Sequence, residues 1–286
     1  MSIPSIRSYP MPQQMPENRV RWNLDAERAV LLIHDMQEYF LHFYGEESAL
    51  IDTLLANLIA LRSWAWEHKV PVVYTAQPPS QTAEERALLT DLWGPGITAS
   101  DPEAAKIVTP LTPEKNDTVL VKWRYSAFQR SHLEALMRDW GRDQLIIGGV
   151  YAHIGCMTTA LDAFMRDIKP FLVADAVADF SPREHQQALD FVAGRCGSVT
   201  TVEEILNPVA KVDFPWLTAQ ITPLLEEDAG TPDPEDNLLD YGLDSIQVMQ
   251  LIGRWQQLGI HLSFEELAGE PTLANWWKLI EQKQAA

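Results

Sequence analysis

The sequence predicts a doubly wound, mostly parallel α/β domain followed by a small four-helix domain. Three observations predict it. Between Ala29 and Thr201 short β-rich runs alternate with helical stretches. Most of those runs are continuously apolar, as in strands buried on both faces of a parallel sheet. After Pro215 no convincing strand is left and helical patterning takes over.

In chain order the expected strands are Ala29–His34 (AVLLIH), Pro71–Thr75 (PVVYT), Thr118–Val121 (TVLV), Gln144–Val150 (QLIIGGV), Phe171–Ala174 (FLVA) and Ser198–Thr201 (SVTT). Helices are expected between them, at about Ser48–His68, Arg130–Trp140, Cys156–Asp167 and Arg183–Gly194. Strand and helix alternating in this way make a doubly wound α/β domain over residues 1–207. Two prolines in NPVAKVDFP break the pattern, so a linker is placed at 208–215 and a second domain at 216–286. Its elements are a helix at Trp216–Glu227, a turn-rich loop at Ala229–Asp236, a helix at Ser245–Leu258, a helical turn at Phe264–Leu267 and a last helix at Thr272–Gln282.

Composition narrows the function classes. The net charge of −18 argues against a nucleic-acid partner, because phosphate contacts need a basic face. The acidity is uneven: the 72 residues from Pro215 hold 12 acidic and 3 basic side chains. That density suits steering toward basic partners, or simply solubility. No apolar run is long enough to span a membrane. The first twenty residues carry four prolines and no apolar core, which argues against a secretory signal. Two cysteines are too few for a disulfide framework, and a cytoplasmic location is expected. The seven histidines are scattered without the close pairings of a zinc site, and Gly148-Gly149 lacks the spacing of a nucleotide loop.

The acidic tail contains Asp240-Tyr241-Gly242-Leu243-Asp244-Ser245-Ile246. Gly242 lets the chain turn sharply, and Ser245 opens a helix whose free N–H groups favour a phosphate. Asp-Ser at a helix start is also an ordinary cap. The long acidic loop before it and the apolar Ile246, Val248, Met249, Leu251, Ile252 and Trp255 after it favour more. The motif resembles the attachment site of acyl and peptidyl carrier proteins. That resemblance implies a 4'-phosphopantetheine arm carried covalently on Ser245. Trp276-Trp277 reads as core packing.

In doubly wound sheets ligands sit beyond the carboxyl ends of the strands. Asp35 follows the first strand, Gln77 the second, Lys122 the third and Tyr151 the fourth. Each has a plainer alternative: Asp35 as a helix cap, Lys122 as a solvated charge. Four at equivalent places point to one crevice.

LLIHDMQ, TAQP, ALLTDLWGPG, VKWRYSAF, GVYAHIGC and DAFMRDIKPF resemble the isochorismatase-like (cysteine hydrolase) superfamily over roughly residues 20–205. More narrowly, with the carrier motif, they resemble the bifunctional isochorismatase and aryl carrier proteins of catechol siderophore synthesis. The thiol hydrolases use an Asp, Lys, Cys triad. Their pattern G-[VI]-A-x-D-x-C-x-x-x-T-A, laid without gaps from Gly149 to Ala160, puts Gly155 and not Cys156 at the nucleophile position. One residue along a helix is a turn of about 100°, so Cys156 should face elsewhere, as a small buried hydrophobe. Cys196 reads the same way.

The resemblance implies an ether hydrolase that needs no nucleophile. Isochorismate is an enolpyruvyl vinyl ether. Protonation of its terminal alkene carbon gives an oxocarbenium ion, water adds, and the hemiketal collapses to pyruvate and 2,3-dihydro-2,3-dihydroxybenzoate. Asp35 is the candidate acid, with Lys122 and Gly155 completing the catalytic group. Gln77, Arg86, Trp93, Tyr151 and the Gly155 backbone would hold the substrate. Arg86 suits a carboxylate, although an exposed helix arginine in AEERALL is the competing reading. Trp93 could wall the pocket or simply pack, and His153 reads as a structural hydrogen-bonder. The resemblance also implies a cis peptide at Val150–Tyr151, a homodimer, and a carrier cargo of 2,3-dihydroxybenzoate, with salicylate left open. Its implied partners are a phosphopantetheinyl transferase, an aryl-activating adenylate ligase and the downstream condensation domain of a nonribosomal peptide synthetase. A cysteine-nucleophile amidohydrolase and a non-catalytic docking platform remain as alternatives.

Overall fold

The computed structural model describes residues 3–208, 212–226 and 230–284. The chain divides into two compact units, Met1–Asn207 and Pro208–Ala286. Residues 209–211 of the expected linker, and Glu227 and Ala229 at the ends of two expected elements, lie outside the described residues.

The first unit is built on six parallel strands in the order β3-β2-β1-β4-β5-β6. They are β1 Ala29–His34, β2 Val72–Ala76, β3 Thr118–Val121, β4 Gln144–Val150, β5 Lys169–Ala178 and β6 Ser198–Thr200. The apolar runs form strands because both faces are covered. Leu31 and Ile33 of β1 pack beneath helix Ala49–Glu67 through Leu54, Leu58 and Leu61. Val30 and Leu32 face the opposite layer, formed by helices Leu133–Asp139, Met157–Phe164 and Pro182–Arg195. The edge strand β3 differs: of its residues only Leu120 is buried, while Val119 and Val121 on the other face are exposed. β5 runs past the expected Ala174 to Ala178. The helix expected from Cys156 begins at Met157, after a wide π-type turn at Ala152–Cys156, and ends at Phe164.

The strand order reverses between β1 and β4, which is where a doubly wound sheet opens a crevice. Close backbone approach brings the two strand ends together there. A Cβ on Gly149 would lie 2.2 Å from the His34 carbonyl oxygen.

In the second unit, helices Phe214–Ile221, Ser245–Gln257, Phe264–Gly269 and Leu273–Gln284 enclose Leu217, Leu251, Trp255, Leu267 and Trp276. Trp276 is fully buried and its indole N–H donates to the Leu267 carbonyl. The first helix starts at Phe214, inside the expected linker, because Asp213 caps it by accepting from the Trp216 N–H. The apolar face expected on helix Ser245–Gln257 needs one correction. Val248, Leu251 and Trp255 are buried, but Ile246 is 68% and Met249 60% exposed. At about 100° per residue Met249 falls well to one side of the buried stripe and Ile246 on the face opposite it.

Candidate active site and carrier serine

β1 ends at His34, and Asp35 then takes a left-handed backbone conformation, φ 50°, that few non-glycine residues adopt. The turn sets its carboxylate into the crevice. Thr75 of neighbouring β2 donates its hydroxyl to Asp35 Oδ1 at 2.7 Å and accepts from the Asp35 N–H at 3.1 Å. Lys122, one residue past β3, donates from Nζ to Asp35 Oδ2 at 2.9 Å. Both side chains are buried, which disposes of the helix-cap and solvated-charge alternatives. An ion pair sealed in this way contributes little to stability, since desolvation offsets the attraction. A chemical role is the better explanation.

The peptide between Val150 and Tyr151 is cis. The Tyr151 hydroxyl donates to the Phe40 carbonyl at 2.9 Å, so the phenol serves the pocket as a wall. The Gly155 N–H donates to the Tyr151 carbonyl at 3.0 Å, so this glycine offers the pocket bare Cα and no free donor. Arg86 ends a short helix, Ala83–Arg86, begun by a Thr82–Glu85 capping box. It is buried, not an exposed helix arginine. Its Nε donates to the Gly94 carbonyl at 2.7 Å, while its Nη1 is buried with no hydrogen-bond partner. Gly96 makes room for the guanidinium: a Cβ there would lie 2.3 Å from Arg86 Nη2. The Trp93 indole donates to the Tyr125 hydroxyl at 2.8 Å and packs edge-on to Phe180.

Asp35, Gln77, Arg86, Trp93, Lys122, Tyr151 and Gly155 thus line one pocket. His34, Tyr39, Arg124, Tyr125 and Phe180 join them and were not anticipated from the sequence. His34 left a usable signal, a polar residue closing an apolar strand beside Asp35. Tyr39 and Phe180 left none, because chain folding alone brings them in. His153 lies outside this lining and pairs with the buried Asp179 at 2.6 Å.

In the second unit, Ser245 is exposed at the start of its helix. Asp244 before it accepts from the Ile246 and Gln247 N–H groups, and Gln247 returns the bond to the Asp244 N–H. The Gln247 amide also donates to the Leu224 carbonyl at 3.0 Å. Gly242 sits at φ 87°, and a Cβ there would lie 2.4 Å from Glu226 Cγ. A capped helix and a glycine turn therefore present one serine to solvent.

Two family models match the chain: the isochorismatase domain over residues 29–204 and the phosphopantetheine attachment site over residues 215–280. The chain is 52% identical over 285 residues to enterobactin synthase component B of Escherichia coli (strain K12), covering 99% of each. It is 46% identical over 299 residues to the isochorismatase of Bacillus subtilis (strain 168), covering 98% of this chain and 96% of that one. The chain belongs to the isochorismatase family. Its fold is shared with a cysteine hydrolase from Pseudomonas syringae pv. phaseolicola, with a TM-score of 0.59 at 22% identity over 70% of this chain and 96% of that one. The isochorismatase domain is joined to a phosphopantetheine carrier domain, as the resemblance implied.

Neither Cys156 nor Cys196 is among the residues that line this pocket. Cys156 is fully buried outside the pocket lining, and burial, with Asp35 nearby, pushes its thiol well above the usual range. A reactive cysteine needs the opposite setting, exposed and electropositive. Among the described residues no cluster of His, Cys, Asp or Glu could hold a metal ion, and no helix is long and apolar enough to cross a membrane.

His34 is buried against the Asp35–Lys122 pair, and burial lowers its pKa to about 4. Above pH 6.5 the ring is neutral folded or unfolded. Between pH 6.5 and 4 the unfolded chain takes up a proton that the native ring refuses, so stability falls as pH falls. From the 1.36 kcal/mol carried by each pKa unit, the loss across that window should be about 3 kcal/mol. Urea unfolding of the protein at stepped pH, followed by near-ultraviolet circular dichroism, checks it. A His34→Val protein should show a flatter profile.

Proposed function

We propose that the larger unit hydrolyses isochorismate to pyruvate and 2,3-dihydro-2,3-dihydroxybenzoate, and that the smaller unit carries an aryl group on phosphopantetheine attached to Ser245. One observation carries the catalytic half. A buried Asp35–Lys122 pair faces the pocket at 2.9 Å, and position 155 beside it has no side chain to attack with.

Asp35, as the carboxylic acid, delivers its proton to the terminal vinyl carbon and the pair of π electrons forms the new C–H bond. The resulting oxocarbenium ion takes up water, whose surplus proton returns to the Asp35 carboxylate. The hemiketal then expels the ring alcohol and leaves pyruvate. A substrate carboxylate that engages Lys122 competes with Asp35 for the ammonium. Arg86 receives a substrate carboxylate on its unpartnered Nη1. Gln77 and Arg124 add polar contacts, and Trp93 and Tyr151 wall the ring.

Ser245 would receive the phosphopantetheine from a phosphopantetheinyl transferase. An adenylate ligase would load 2,3-dihydroxybenzoate, or salicylate, and a condensation domain would take it onward. The exposed Ile246 and Met249 beside Ser245 offer such partners an apolar contact. A homodimer formed through the hydrolase unit and a cytoplasmic location belong to the same reading.

The Arg86→Met protein tests the carboxylate site. Losing a charged hydrogen bond should raise KM for isochorismate about 10–100-fold with kcat little changed. An unchanged KM in a pyruvate-release assay would remove Arg86 from the substrate site.

A further inference from the structure

We infer that His34 is a reaction-determining residue: its imidazole fills the space a nucleophilic side chain at position 155 would occupy, and so keeps the site closed to covalent chemistry. This rests on the hydrolase reading for its meaning, although its geometry stands alone. A Cβ on Gly155 would lie 2.2 Å from His34 Cε1, 2.8 Å from Nε2 and 3.0 Å from Nδ1. Contacts so short force something to move. The imidazole is not a flexible tip that can swing aside. It is 1% exposed, and its Nδ1–H donates to the Val150 carbonyl at 2.8 Å. Its backbone is as tightly held, since a Cβ on Gly149 would lie 2.8 Å from the His34 nitrogen.

Glycine at 155 and histidine at 34 are therefore one unit. A chain that exchanged Gly155 for cysteine alone would gain a thiol with no room for its Cβ. Room for a thiol beside Asp35 and Lys122 needs a smaller residue at 34 as well. The ring Nδ1 also lies 3.7 Å from Asp35 Oδ2, so the space it fills borders the carboxylate. Burial keeps the ring neutral, so it fills this place without adding a second cation beside Lys122.

The test uses the full-length protein and the variants Gly155→Ala, Gly155→Cys and His34→Val, singly and in pairs. Valine is chosen because a small β-branched residue suits a buried strand. Overpacking should lower the unfolding temperature of Gly155→Ala by roughly 2–12 °C. The paired His34→Val/Gly155→Ala protein should recover most of that loss relative to His34→Val alone. Iodoacetamide then reads the chemistry: the introduced thiolate displaces iodide, a C–S bond forms, and the thiol proton passes to buffer. The paired His34→Val/Gly155→Cys protein should take up one label, found at position 155 by peptide mass spectrometry. Under the same conditions the wild type, with Cys156 and Cys196 buried, should take none, and Gly155→Cys alone should be slow or unstable.

Additive effects on unfolding temperature would overturn the inference, as would equal labelling of the introduced thiol with and without His34. If neither thiol protein is recovered folded, the alanine pair decides. Failure of His34→Val to fold in any background also counts against it, because a ring that only fills space tolerates replacement. None of these readouts uses isochorismate. Absence of pyruvate release by the wild type would instead refute the proposed function and leave the steric coupling untouched.

Discussion

Ser245→Ala should abolish attachment of phosphopantetheine while pyruvate release from isochorismate continues at the wild-type rate. The effect on attachment is all or none, because the serine oxygen forms the phosphodiester. Incubation with coenzyme A and a phosphopantetheinyl transferase should add one phosphopantetheine to the wild-type chain and nothing to the variant. The fold should not be at risk. Ser245 is exposed, and the helix start is held by Asp244 and Gln247, not by the serine. Indifference of the hydrolase follows from its self-contained site, whose lining comes from Ile3–Phe180 of the first unit alone. Attachment surviving in Ser245→Ala would move the carrier function to another residue.

The fold was legible where local patterning and tertiary burial agree. β1, β3 and β4 begin and end where their apolar runs do, because a buried strand needs an unbroken apolar stretch between turn residues. β5 extends two residues before and four beyond the expected Phe171–Ala174, where Asp175 interrupts its apolar run. The strand passes through it because the Asp175 carbonyl and carboxylate accept from Asn57 and Val202. The wide turn at Ala152–Cys156 was not legible, since its AHIGC sequence is compatible with an ordinary helix start. In the carrier half, Ile246 and Met249 read as part of the apolar face because both are apolar and spaced by three from Ile252 and Trp255. Only packing shows that Val248, Leu251 and Trp255 complete the core without them.

The site was legible in its polar strand-end residues. Asp35, Gln77, Lys122 and Tyr151 follow four parallel strands, and parallel strands deliver their ends to one side. What each residue does there was less visible. The Tyr151 hydroxyl and the Gly155 N–H are both committed to backbone carbonyls. Arg86 could not be told from a surface residue until Gly94 and Gly96 were seen to enclose it. The place of His34 depends on the helix turn carrying Gly155, which lies 121 residues further along the chain.

The most direct measurement is the kcat for pyruvate release by Asp35→Asn at saturating isochorismate. Asparagine keeps the shape and the hydroxyl contact from Thr75 but has no proton to give to carbon. Loss of a placed acid costs about 10²–10⁴-fold in rate. The account predicts a fall in kcat within or beyond that range, with isochorismate still bound at near the wild-type dissociation constant. A kcat close to that of the wild type would contradict it.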